Sequence, residues 1–198
     1  MLAIIKSLLV LGALYLVVLS TFAFTKEVNQ ATFNSNRSVK IPENYNHWIH
    51  VGSPLTPHEL NKNGIAPFPE YHNVYIEPTA FDYYQAKGTW PEGTQIIKER
   101  TLVRAGDDCN KETGACKEVS GIGYFPGEFK GLELAVKDNK RFPNEPGGWT
   151  YFSFGNEGKP YAKTAKHFPT ASCNTCHQNQ AKGEFVFTQF YPLLQKNK

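Results

Sequence analysis

Cys173, Cys176 and His177 form the run Cys-Asn-Thr-Cys-His, in which two thiols stand one helical turn apart and an imidazole follows the second. That spacing suits covalent haem attachment. Each thiol adds to one vinyl group of the porphyrin, and the following histidine swings under the ring to ligate iron as the proximal base. A Cys-x-x-Cys pair also serves thiol–disulfide exchange or supplies half of a zinc site. Exchange pairs belong with a thioredoxin-like βαβ pattern, which this sequence does not show. A zinc site needs two further ligands, and Cys109 and Cys116 are spaced too widely for the usual pair. The motif therefore implies one haem c and one axial ligand.

The other side of the iron is constrained by what the chain lacks. Met1 is the only methionine, and it lies in the apolar N-terminal run, so no His/Met-ligated haem can form. His47, His50, His58, His72 and His167 are the remaining histidines. His72, at the head of an alternating stretch, is the one best placed to reach a pocket and is the distal pocket candidate. The leading expectation is an open sixth position, which binds small ligands such as NO, CO, peroxide or hydroxylamine. In an exported chain, Cys109 and Cys116 are expected to close a surface loop as a disulfide.

Export is read from the first 24 residues. Lys6 supplies a positive n-region and Ser7 to Phe24 is nearly all apolar, the plan of a secretory signal peptide. The run of about 18 residues also nears the minimum for a membrane anchor. Both readings place the folded part outside the cytoplasm, in the bacterial periplasm. Residues 25–40 are polar and read as a flexible linker, so the haem domain is expected over 41–198.

The elements that must position the motif are mostly strands. Tyr71 to Glu77 alternates, Pro78 ends it, and Thr79 to Lys87 reads as a short helix closed by Gly88. Thr94 to Val103 is the best strand, with Ile96, Lys98, Arg100 and Leu102 on one face and Ile97, Glu99, Thr101 and Val103 on the other. Gly121 to Phe125, Gly131 to Lys137 and Trp149 to Phe154 look like further strands. Thr56-Pro57-His58-Glu59 opens like a helix, Lys159 to His167 reads as a short helix, and the haem motif should ride a helix from about Ala171. Small electron-carrier cytochromes are instead mostly helical, with the motif near the N-terminus. The 198 residues suit one domain plus an export segment, and a hydrophobic fraction of 40% excludes wholesale disorder. A net charge of +3 is too small to argue for nucleic acid.

In this order the motifs resemble the cytochrome P-460 family, which includes the cytochrome c′-β proteins. The carrying stretches run from YNHWIHVG (Tyr45 to Gly52) through TPHEL, VYIEP, GTQIIKE (Gly93 to Glu99), GYFPG, GLELAVKD (Gly131 to Asp138), RFPNEPGGW and PTASCNTCH to VFTQFYPLL, ending at Leu194. The resemblance implies an α+β fold, mainly antiparallel β-sheet with peripheral helices, and often a homodimer. It implies a pentacoordinate haem with His177 proximal. It matches Lys98 to a lysine that one branch joins covalently to the porphyrin, and Glu133 to a carboxylate in the distal pocket. The implied activity is oxidation of hydroxylamine to nitrous oxide or nitric oxide, or handling of related nitrogen oxides. Glu133 would be the proton acceptor and a separate redox protein, such as a small cytochrome, would take the electrons. A non-catalytic NO-binding protein of the c′-β kind is the alternative, and a simple electron-transfer cytochrome a third.

Overall fold

The computed structural model describes residues 28–195. The N-terminal run read as a signal or anchor lies outside them; among the described residues no helix is long and apolar enough to cross a membrane. In chain order the strands are β1 (Val39–Lys40), β2 (Ile49–Gly52), β3 (Tyr71–Ile76), β4 (Gln95–Val103), β5 (Cys116–Glu118), β6 (Gly121–Gly123), β7 (Pro126–Lys137), β8 (Trp149–Ser153) and β9 (Thr164–Ala165). Helix α1 (Pro78–Lys87) follows β3 and α2 (Thr170–Gln180) follows β9. The fold is α+β, as expected: one antiparallel sheet in the order β2-β3-β4-β7-β8, with helices at its periphery.

Because side chains alternate along a strand, the register divides the sheet into two faces. Val74 lies opposite Lys98, Lys98 opposite Glu133, Glu133 opposite Ser153, and Ile76 opposite Ile96. This first face buries Val74, Ile76, Ile96, Trp149 and Tyr151 against Val186, Tyr191 and Leu194 of the C-terminal segment, with Cys173 packed alongside. The second face buries Ile97, Leu132, Leu134, Val136, Phe152 and Phe154. Fully buried side chains of this kind are worth about 1.5–3 kcal/mol each, so both faces resist exposure and the register is strongly specified.

Helix α1 starts and stops as its residues direct. The Glu77 carboxylate accepts from the Ala80 N–H at 2.8 Å, Pro78 takes the first turn, and Gly88 closes the end in the left-handed region with φ 77°. Strand β7 is longer than the sequence suggests, starting at Pro126 rather than Gly131. A bulge divides it: Arg100 faces Gly131 but Thr101 faces Phe129, and Leu102, just past the bulge, is exposed.

Two expected helices differ. Thr56–Glu59 gives only a single 3-10 turn at His58–Leu60, and the Thr56 hydroxyl donates to the Phe68 carbonyl instead of capping. Lys159 to His167 is not helical. Its Thr164–Ala165 pairs antiparallel with Val39–Lys40, a long-range partner that local periodicity does not reveal. Within residues 28–40, read as a linker, Val28 packs on the first-face cluster, while Phe33 packs on the second, Val39 is fully buried there, and the Asn29 carbonyl accepts from the Gln95 amide at 2.7 Å.

Cys109 and Cys116 are joined as a disulfide at the base of the small β5–β6 hairpin. Closing so short a loop stabilises by about 2 kcal/mol. The double variant Cys109→Ser, Cys116→Ser is therefore expected to lower the unfolding free energy by about that amount and, with a haem bound as the Cys173–His177 motif leads one to expect, to leave its optical spectrum unchanged; chemical denaturation and a visible spectrum read the two effects separately.

Candidate cofactor site

Helix α2 carries Cys173, Cys176 and His177 and is fixed to the sheet by its own polar residues. Asn174, buried on the inner side, donates to the Trp149 carbonyl at 2.7 Å, and the Thr170 hydroxyl donates to Glu145 at 2.9 Å. Neither cysteine is in a disulfide; Cys173 is half-buried and Cys176 exposed. Their i, i+3 spacing on a regular helix puts the sulfurs on one side.

His177 is held in one tautomer. Its Nδ1 lies 2.7 Å from the Phe185 carbonyl, which can only accept, so Nδ1 carries the proton and donates. Nε2 is left with a free lone pair, the arrangement that metal-binding histidines use. The ring sits between Tyr151 and Phe187, with centroids 4.4 and 4.7 Å away. Burial lowers the imidazole's pKa below its ordinary value; the bond to Phe185 opposes this, and the Lys98 charge adds to it.

The turn that offers the Phe185 carbonyl is strained. Glu184 and Phe185 both have positive φ, 53° and 69°, a conformation that costs non-glycine residues about 1–3 kcal/mol. It is held from outside: Glu184 accepts from Lys137 Nζ at 2.5 Å and from the Trp90 N–H at 3.0 Å, and the Trp90 indole donates to the Gly183 carbonyl at 3.1 Å. None of these residues was singled out from sequence, since a carbonyl ligand leaves no residue-type signal.

Lys98 and Glu133 are direct cross-strand partners on the face toward α2, with Nζ 3.8 Å from Oε2. Their charges reach the motif. Burial raises the Cys173 thiol pKa, and Lys98 lowers it while Glu133 and Cys176 raise it. The structure thus brings Lys98, Glu133, Cys173 and His177 to one place. The Tyr151 hydroxyl is buried there without a partner among the described residues, and burial, then the two cysteines, push its pKa up.

His72 lies on the same face, opposite Arg100. Its Nε2 is buried without a partner among the described residues, and its ring meets Phe68 edge-on. The other histidines in hydrogen bonds look elsewhere: His50 to Ser53, His58 to the Ala66 N–H, and His167 to the Phe168 carbonyl. Burial, then Lys98 and Arg100, push the His72 pKa down to about 4. An imidazole neutral in the folded chain and near 6.5 in the unfolded one favours folding above pH 6.5, and that contribution is lost as pH falls from 6.5 to about 4. We expect a loss on the order of 2 kcal/mol over this window and its absence in His72→Gln, read by denaturant titrations from pH 4 to pH 7. An equal slope in both proteins would remove His72 from the account.

The disulfide hairpin is not part of this constellation. Cavities of about 310 and 290 Å³ open beside Trp48 and Glu43, and neither is lined by a residue of the constellation. Among the described residues no group of three His, Cys, Asp or Glu side chains could hold a metal ion by itself. Two thiols on one side of a helix, one neutral imidazole with Nε2 free, and an orphaned hydroxyl beside the thiols instead fit a haem bound through Cys173, Cys176 and His177. Sequence reading missed Arg100 as a site residue: it stood on the correct face by alternation, but nothing local told that its guanidinium turns to Glu133.

Comparison with known proteins agrees with this geometry. A family model described as Cytochrome P460 matches residues 42–188. No curated protein matches the chain.

Proposed function

Because the chain belongs to the cytochrome P460 family, we propose that it is an exported mono-haem c protein that oxidises hydroxylamine, or a related nitrogen oxide, in an open distal site. Cys173 and Cys176 would hold the porphyrin through thioethers, His177 Nε2 would ligate its iron, and Lys98 would be the residue joined to the ring. A haem held there would supply the redox chemistry and a place for a small nitrogen ligand to bind.

The chain's own residues do the rest. Phe185 fixes the imidazole's tautomer and direction, and Tyr151 and Phe187 keep water from its faces. Glu133 accepts the proton that the substrate nitrogen loses as it is oxidised, which requires a carboxylate within hydrogen-bond reach. Electrons pass to a small cytochrome or similar redox protein. We place the protein in the periplasm, with residues 1–24 as signal or anchor, and in a homodimer. His72 borders the pocket and bears on ligand choice.

The observation that supports this reading most is the opposed pair of Lys98 and Glu133 facing α2, with the Lys98 charge felt at His177. A second reading, non-catalytic binding of NO, draws support from Glu133 already being engaged by Arg100. A spectrum of the ferrous protein and mass spectrometry of the haem peptide separate the two. Absorption far to the red of ordinary haem c, with the Lys98 peptide tied to that of Cys173, supports the enzyme. An ordinary haem c spectrum with Lys98 free supports gas binding.

A further inference from the structure

Glu133 has two cations within reach, and they hold it differently. Lys98 is its register partner, the default ion pair across an antiparallel ladder, yet the contact is 3.8 Å and the lysine side chain is 40% exposed. Arg100, one step further along the same face, is only 8% exposed and takes Oε1 in its fork, with Nε at 3.0 Å and Nη2 at 2.9 Å. The other carboxylate oxygen, Oε2, is 3.4 Å from Nε and 3.8 Å from Lys98, and so is the less committed of the two.

The guanidinium is itself built in. Its Nη1 donates to Glu70 Oε1 at 3.1 Å, and Nη2 donates to Asn156. Beneath it lies Gly131, its register partner, where a Cβ would collide with Nη2 and crowd Asn156 and the Gly155 carbonyl. The planar fork needs that bare backbone and the bulge beside it. Lysine, a point donor on a flexible stem, could not reproduce the two-sided hold.

We propose that Arg100 is a positioning residue: it clamps Glu133 Oε1 and so presents Oε2 to the ligand position in the haem pocket. The proposal rests on Glu133 facing that position. It adds that the direction of the carboxylate comes from Arg100, Glu70 and Asn156 and not from Lys98. Arg100 touches neither substrate nor haem in this role.

The test uses the haem-loaded protein with NO as probe, whose N–O stretching frequency reports the groups around the bound ligand whether or not the protein turns over hydroxylamine. Glu133→Gln, Arg100→Gln and Arg100→Lys are compared with the parent. We expect Arg100→Gln to move the N–O band as Glu133→Gln does, with Arg100→Lys recovering only part of the parent band. In turnover, Arg100→Gln should lower kcat by roughly ten-fold or more with KM within about two-fold, the pattern of a misaligned group rather than lost binding. If Glu133→Gln moves the band and Arg100→Gln does not, the clamp is wrong. If neither moves it, Glu133 does not face the ligand, and both the clamp and the base assignment fall. If Arg100→Gln does not accumulate folded, Asn156→Ala removes one of the guanidinium's partners from the exposed side; a smaller shift in the same direction supports the clamp, and an unchanged band overturns it.

Discussion

Replacing Glu133 by alanine is expected to abolish hydroxylamine turnover, by about 10²–10⁴-fold in kcat, while the haem content per chain stays at the parent level. The two outcomes separate because Glu133 and the attachment residues sit on different elements. Glu133 is on β7, whereas Cys173, Cys176 and His177 are on α2, held by Asn174 to Trp149 and by Thr170 to Glu145. Neither tether involves Glu133. The backbone of β7 also stays paired on both sides at this position, with Lys98 and Ser153. Loss of the carboxylate does leave Arg100 with Glu70 and Asn156 alone, so a modest fall in thermal stability should accompany it. Steady-state turnover with an artificial acceptor and a haemochrome assay of the same preparation decide the matter. Retained turnover would reject Glu133 as the proton acceptor.

The double variant Cys173→Ser, Cys176→Ser should lose the covalent haem altogether and melt well below the parent. The surroundings of the motif are apolar and aromatic: Tyr151 and Phe187 flank His177, and Cys173 packs on the cluster that includes Val74, Ile96, Trp149 and Val186. Such a surface gains by being covered, and a group tethered beside it is always present at high effective concentration. A ligand a thousand times above its dissociation constant stabilises by about 4 kcal/mol. For a domain of this size that corresponds to a fall in Tm of roughly 10 °C. Haem staining after denaturing electrophoresis checks the attachment, and calorimetry of the two proteins checks the stability. A parent and variant with equal Tm would mean that the haem adds nothing to the fold.

What could be seen in the sequence was what short-range rules govern. Alternation along Gln95–Arg100 puts Lys98 and Arg100 on one face and Glu99 on the other, and the register agrees. Pro78 and Gly88 mark the limits of α1, and the haem motif lies on a helix within a residue of its expected start. Contacts between distant segments could not be seen. Glu70 and Asn156 meet at Arg100 from loops on either side, and the carbonyl that orients His177 comes from a turn whose shape depends on Lys137 and Trp90. Residues 159–167 differ from expectation for the same reason: Thr164–Ala165 pairs with β1, far away in the chain.

The two sides of β4 also set which genetic changes the molecule can absorb. Lys98 and Arg100 look toward α2, while Glu99 between them accepts from the Tyr45 and Tyr161 hydroxyls at 2.7 and 3.1 Å and from Lys159 at 3.1 Å on the opposite side. Deleting a single codon between Gln95 and Lys98 would shift the rest of the strand to the opposite faces, turning Glu99 toward α2 and handing Arg100 to the tyrosines. Point substitutions in this stretch weaken one function at a time, but a frame-preserving slip of one residue inverts them all. A change of length is therefore expected to be tolerated better in loops such as the turn of the β5–β6 hairpin, where Val119 is fully exposed, than in β4.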